Sequence, residues 1–226
     1  MPVVSPVSGS APPAVPADLP PPVAIHWSPK SPFVRKVMIV LVECGLVDRV
    51  ERIRTMVDRL HPNRAYMAEN PLGTIPAIVL ADGRLMTDSV LICDYLLTLA
   101  PRPALLPPSG AARFAVLQRQ ALADGMLDAL LFWRQERLRP PAAQRAEVHA
   151  AYAVKAATAL DRLERDAAGF PDAPDLGHVG IGCALAYLDL RFPDLDWRRG
   201  RAALAAWHRR FEDRPSSRAT RLALDA

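Results

Sequence analysis

Apolar positions along the first hundred residues fall into short runs alternating with longer ones; beyond a proline-rich stretch only helical spacing remains. Residues 23–27 form a short apolar run that predicts a strand. Residues 32–44 are apolar on most faces and predict a helix, with Gly45 placed to end it. Residues 50–56 alternate apolar and charged side chains roughly enough for a second strand, and 61–69 read as a short polar helix. The fully apolar Ala77-Ile78-Val79-Leu80 predicts a buried strand, Asp82-Gly83 a hairpin turn and Leu85-Met86 the returning strand. Thr87-Asp88-Ser89 can cap a helix over 90–99.

After PRPALLPPSG at 101–110, Phe114, Leu117, Ala121, Leu127, Leu130 and Leu131 share one face of a long helix that stops at Pro140-Pro141. Val148, Tyr152, Ala156, Ala159 and Leu163 mark a second helix, Ile181, Ala184, Leu185 and Leu188 a third, and Leu204, Trp207 and Phe211 a fourth. The expected organisation is a small α+β domain over 23–102, a connection over 103–110 and an all-helical domain over 111–226. Residues 1–22, rich in Pro, Ala, Ser and Val, lack the basic region and continuous apolar run of a secretion signal. They read as a disordered extension or a misassigned start.

Composition narrows the function classes. Half of the 226 residues are hydrophobic, enough for one generous domain or two small ones sharing an interface, and no apolar run is long enough to span a bilayer. The net charge of +4 comes from 28 basic and 24 acidic residues, scattered rather than bunched. The densest basic stretch, 191–210, is interrupted by Trp197, Leu204 and Trp207 and reads as a solvated face, so no nucleic-acid partner is expected. Cys44, Cys93 and Cys183 form no C-x-x-C pair and sit in apolar segments, which points to a reducing compartment. The five histidines show no metal-ligand spacing, so no metal is expected.

The candidate chemistry lies in three places. In SPKSPFVRKV, residues 28–37, Ser31-Pro32 falls where a strand ends and a helix begins. A serine N-cap followed by proline at the first helical position is a common helix start. The same geometry gathers unpaired backbone N–H groups and the positive end of a helix dipole, and so favours an anion beside the hydroxyl. The second place is the turn-rich Asn70-Pro71-Leu72-Gly73-Thr74-Ile75-Pro76, whose last peptide is either cis or the trans start of a strand. The third is Asp88-Ser89, a capping pair that also offers a carboxylate and a helix N-terminus.

With these three in this order, the chain from Val23 to Leu222 resembles the glutathione S-transferase superfamily, in its serine-type, bacterial-like cytosolic form. The resemblance implies a thioredoxin-like first domain followed by an all-helical one, the glutathione S-transferase fold. The thioredoxin C-x-x-C position reads SPFV, so dithiol chemistry is absent. The family's catalytic hydroxyl maps onto Ser31, with Ser28 as an alternative. Its job would be to hold glutathione as a thiolate by hydrogen bonding at a helix N-terminus, with no general base. Thr74, Ile75 and Pro76 map onto the loop that receives the cysteinyl part of glutathione. Thr74 is shorter than the lysine or long polar residue often found there. Asp88 and Ser89 map onto the pair that receives the γ-glutamyl end.

Other expectations follow from the same resemblance. Pro32, Phe33 and Asp124 are candidate electrophile-site residues, and Gly125 can permit close helix packing. Trp133 and Trp207 read as core or dimer-interface aromatics. Arg35 and Lys36 read as snorkelling from the first helix. Asp175 can cap the helix after it, with His178 standing where an acidic capping-box partner is usual and able to accept through a neutral ring nitrogen. The overall expectation is a cytoplasmic homodimeric transferase that uses glutathione as co-substrate and acts on a small hydrophobic electrophile. A glutathione-dependent isomerase and a non-catalytic scaffold binding a protein partner are the alternatives.

Overall fold

The computed structural model describes residues 18–102 and 104–224. Most of the stretch read as an extension, residues 1–17, lies outside them, as do Pro103 of the expected connection and the last two residues of the helical domain. The remainder of the extension is not separate from the fold: Pro22 opens the first strand, and the Pro20 carbonyl accepts a hydrogen bond from Tyr95 Oη at 2.6 Å.

The first domain runs β1 (Pro22–Trp27), α1 (Pro32–Glu43), β2 (Glu51–Arg54), α2 (Arg64–Met67), β3 (Ala77–Leu80), β4 (Leu85–Met86) and α3 (Ser89–Leu99). The sheet order is β2-β1-β3-β4. β1 and β2 are parallel, as a pair joined by a helical crossover must be, with Ile25 opposite Arg52. β3 lies antiparallel to both β1 and β4, placing Ile78 between Ile25 and Met86. Gly45, at φ +68°, follows α1 in the left-handed conformation that glycine adopts without a Cβ clash.

The helical domain comprises α4 (Gly110–Arg137), α5 (Ala146–Ala167), α6 (Leu176–Arg191), α7 (Ala202–Asp213) and α8 (Pro215–Ala219). At 28 residues, α4 is about 42 Å long. It packs along α5 and α6, and α6 also meets α1, so the two domains share one continuous core. α6 is buried on almost every side, which requires close approach. A Cβ on Gly182 would stand 2.2 Å from the Phe211 ring, and one on Gly177 would stand 2.5 Å from Arg119 Cβ. α8 was not anticipated; its Pro215 start is a helix signal, but five residues are too few to show a period.

The α6 N-terminus carries a complete capping box. Asp175 accepts from the His178 N–H at 3.0 Å, and the Asp175 N–H meets His178 Nδ1 at 3.3 Å, so the histidine ring closes the box in place of a carboxylate. Burial pushes the Asp175 carboxyl up, but its hydrogen bonds from His178 and Arg119 outweigh burial and hold it at about 2.

Two expectations fail. Gly125 does not mark a close helix contact, since a Cβ there would meet nothing within 4 Å. Arg35 and Lys36 do not snorkel to solvent: both are buried, because α1 is packed against α3, α6 and α8. Each is instead matched by a carboxylate from the helical domain. Arg35 meets Glu212 at 2.8 and 2.9 Å, and Lys36 Nζ donates to both Asp124 oxygens at 2.7 and 2.8 Å.

Candidate functional site

Sheet topology brings the three candidate segments to one place. β1 runs opposite to β3 and β3 opposite to β4, with His26 beside Ala77 and Ile78 beside Met86. The C-terminal end of β1, the N-terminal end of β3 and the C-terminal end of β4 therefore share one edge of the sheet. Ser31 follows the first, Ile75-Pro76 precedes the second and Asp88-Ser89 follows the third, and two helix N-termini, of α1 and α3, point to this edge.

Ser31 is the N-cap of α1. Its Oγ accepts from the Val34 N–H at 3.2 Å, and Pro32 occupies the first helical turn. Accepting through oxygen leaves the hydroxyl proton free to donate, and the residue is half-buried rather than enclosed. Ser28 is 7% exposed; its Oγ accepts from the Lys30 N–H at 3.4 Å and its carbonyl from the Ser31 N–H at 3.3 Å. Pro32 is buried and Phe33 half-buried.

The Ile75–Pro76 peptide is cis, as the first of the two sequence readings has it, and the Thr87–Asp88 peptide is cis as well. The loop before Pro76 is held from behind. Tyr66 Oη and Asn70 Nδ2 each donate to the Thr74 carbonyl at 2.8 Å, and Asn70 Nδ2 also reaches Tyr66 Oη at 3.2 Å. Burial pushes the Tyr66 phenol up, which keeps it a neutral donor. The Thr74 side chain is exposed, while Ile75 is buried. Among the described residues no hydrogen bond reaches the Ile75 N–H or C=O. Sequence reasoning missed this support, although Asn70 opens the loop and Tyr66 stands one helical turn before it.

Asp88 is the N-cap of α3, and its Oδ1 accepts from the N–H groups of Val90 and Leu91 at 2.9 and 3.3 Å. It is exposed, and Ser89 beside it is buried at the first helical position.

Asp124 stands across the domain seam, 17% exposed at its side chain and bonded to the fully buried Lys36. Lys36 Nζ lies 5.6 Å from the centre of the Phe33 ring, so Phe33, Lys36 and Asp124 are contiguous. One and two turns further along the same face of α4 come Asp128 and Phe132. The Arg59 guanidinium, from the segment between β2 and α2, covers the Phe132 ring at 4.8 Å. Burial and the Asp124 carboxylate push the Asp128 carboxyl up. Lys36, Arg59 and Phe132 were not singled out for this region from sequence.

All three cysteines are free and buried; burial pushes Cys44 up to about 11 and Cys93 and Cys183 to about 12, so they carry no nucleophilic thiolate. Among the described residues no group of three His, Cys, Asp or Glu side chains could hold a metal, and no helix is long and apolar enough to cross a membrane. A cleft of about 470 Å³ lined by Trp133, Arg137, Gln144, His149, Asp194 and Leu195 lies on the helical domain and includes none of the predicted site residues.

A mixed four-stranded sheet with two helix N-termini at one edge, joined to a helical bundle, is the architecture of glutathione S-transferases, and comparison with known proteins agrees. Residues 30–99 match the glutathione S-transferase N-terminal domain and residues 142–210 the C-terminal domain. The chain belongs to the glutathione S-transferase superfamily. It is 34% identical over 164 residues to an uncharacterized GST-like protein, YibF of Escherichia coli K12, covering 71% of this chain and 79% of that one. A glutathione transferase family member from Pseudomonas fluorescens Pf-5, solved with bound glutathione, superposes with a TM-score of 0.83 at 37% identity, covering 89% of this chain and 99% of the other. A glutathione S-transferase from Methylobacillus flagellatus KT with glutathione bound gives 0.81 at 30% identity, over 88% and 99%.

Proposed function

We propose that this protein is a glutathione transferase that binds reduced glutathione at the shared edge of the sheet and presents its thiolate to a small, hydrophobic electrophile. The observation that carries the reading is the convergence of Ser31, Ile75-Pro76 and Asp88-Ser89 on that edge, in a chain similar to proteins solved with glutathione bound.

Each segment then has a task. Ser31 Oγ–H donates to the glutathione sulfur, and the α1 N-terminus adds its dipole; both favour the thiolate over the thiol, whose proton leaves to solvent. Ser31 is better placed than the more enclosed Ser28 to do this. The Ile75 N–H and C=O pair with the cysteinyl backbone, and the Thr74 side chain lies toward the glycyl end. Asp88 faces the γ-glutamyl ammonium with the oxygen its cap does not use, while Ser89 and the α3 N-terminus take the γ-glutamyl carboxylate. The electrophile enters between Phe33, with Pro32 behind it, and the α4 face that carries Asp124. The sulfur lone pair forms the new C–S bond; a leaving group departs with the displaced electron pair, or the adduct carbanion takes a proton from water. Exposed Val90, Leu91 and Phe114 on α3 and α4 support a homodimer.

The test is a panel of halogenated and α,β-unsaturated electrophiles with loss of free glutathione thiol as the readout. Conjugation consumes one thiol per turnover, and Ser31→Ala lowers kcat/KM about 100-fold. Turnover with no net thiol loss would replace conjugation by isomerisation; no turnover with any electrophile would leave a binding scaffold.

A further inference from the structure

Lys36 is the fourth helical residue after Pro32 on α1, fully buried, and the Ser31 reading gives it no task. A buried ammonium is costly unless paired, and this one is held by both oxygens of Asp124. Side chains on a helix lean toward its N-terminus, and Lys36 Nζ does so, lying against the Phe33 ring one turn earlier. Five residues at the helical rise separate Ser31 from Lys36 by about 7.5 Å along the axis. The buried charge is therefore within about 10 Å of the α1 N-terminus in a poorly screened interior.

We propose that Lys36 and Asp124 form a positioning pair: together they lock α1 against α4, and their opposed charges set the electrostatic potential at the Ser31 end of α1. Its use in glutathione activation rests on the transferase reading above, whereas the electrostatic claim does not. The other titratable groups facing the pair are Arg35 on α1, Cys93 on α3, Asp128 on α4 and Cys183 on α6, with Arg59 and Asp88 beyond Asp128. Both thiols are neutral at ordinary pH and Arg35 is matched by Glu212, while Asp128, Arg59 and Asp88 are the same in every variant compared below, so differences among the variants report Lys36 and Asp124.

A thiol placed at the helix start reports this potential without glutathione. In a Ser31→Cys variant, the pH dependence of alkylation by iodoacetamide gives the midpoint of that thiol, with the parent protein as the blank for the three buried cysteines. Adding Lys36→Met removes a nearby positive charge and raises the midpoint by about one unit. Adding Asp124→Asn removes the negative charge and lowers it. The double change Lys36→Met/Asp124→Leu removes both and returns it to within about 0.3 unit of its starting value. Lys36→Arg, which keeps the charge, also leaves it within that margin.

A merely structural pair would move every variant the same way and the double variant furthest; that result, or no shift in either single variant, overturns the proposal. If Lys36→Met fails to fold, the comparison of Asp124→Asn with the double variant still gives the sign. Calorimetric titration of the parent protein with glutathione separates the two claims. Opposed shifts without glutathione binding would overturn the transferase reading and leave the positioning pair standing; binding with same-sign shifts would do the reverse.

Discussion

Helices α1 and α6 touch each other, and both are buried on nearly all sides, yet they reach burial by opposite chemistry. α6 does it by subtraction: Gly177, Gly180 and Gly182 remove side chains where Arg119, Ala123 and Phe211 come close, and its N-terminus is closed by the capping box of Asp175 and His178. α1 keeps two cations in the core and matches each with a carboxylate from the other domain. Close packing puts α6 at the centre of the bundle, with the Arg119–Asp175 ion pair at its N-terminus. α1 is tied to particular places on α4 and α7, which holds the helix bearing Ser31 in register with the wall opposite. A third pair of reversed sign, Glu43 with Arg214 at 2.9 Å, ties the other end of α1 to the start of α8.

The largest expected effect breaks α1 from its carboxylates. Glu212→Leu leaves Arg35 buried without its counter-charge and costs about 3–5 kcal/mol in urea unfolding. Replacing Arg35 and Glu212 together by apolar residues of similar volume recovers much of that loss, whereas no second change of charge helps α6. Next comes Gly182→Ala, which drives a methyl into the Phe211 ring and costs about 1–3 kcal/mol by the same measurement. Gly180→Ala, where the nearest atom is Ala123 Cβ at 3.0 Å, costs less.

Acid sharpens the contrast by titration. Burial pushes the Glu212 carboxyl up, but the His208 ring 3.4 Å away and the Arg35 guanidinium hold it at about 2, as His178 and Arg119 hold Asp175. Both folded values lie below the unfolded ones. Their stability is therefore complete above the ordinary values of 4.5 and 3.8 and is lost as pH falls through about 2. The urea midpoint falls over that window, and Glu212→Gln flattens its share of the slope. The smallest effect is local: Asp88→Asn keeps the α3 cap and changes stability by under about 0.5 kcal/mol.

The helices that differ in chemistry also differed in how far they could be read. The apolar runs marked α1 and α6, Ser31-Pro32 marked the start of one, and Asp175 with His178 marked the start of the other. The alternation of short runs placed β3 at its observed bounds, and the order of the three candidate segments pointed to a single site. Charge partners were not legible, because they are distant: Lys36 and Asp124 are separated by 88 positions and Arg35 and Glu212 by 177. A periodic pattern shows that a helix exists but not what stands opposite each charged residue, so buried cations were read as solvent-seeking ones. The Tyr66 and Asn70 support for the Thr74 carbonyl escaped for another reason. It depends on Tyr66, in a four-residue helix too short to show a period, and on Asn70 three residues past that helix.

The central claim is that the sheet edge bearing Ser31, Ile75 and Asp88 receives reduced glutathione, and calorimetric titration tests it most directly. The account predicts saturable binding of one glutathione per chain. Asp88→Asn should weaken it about 10-fold or more through the lost charge on the ammonium, and Ser31→Ala should change affinity little while abolishing the ultraviolet absorbance of the bound thiolate. No heat of binding at millimolar glutathione, or binding that neither substitution alters, would contradict it.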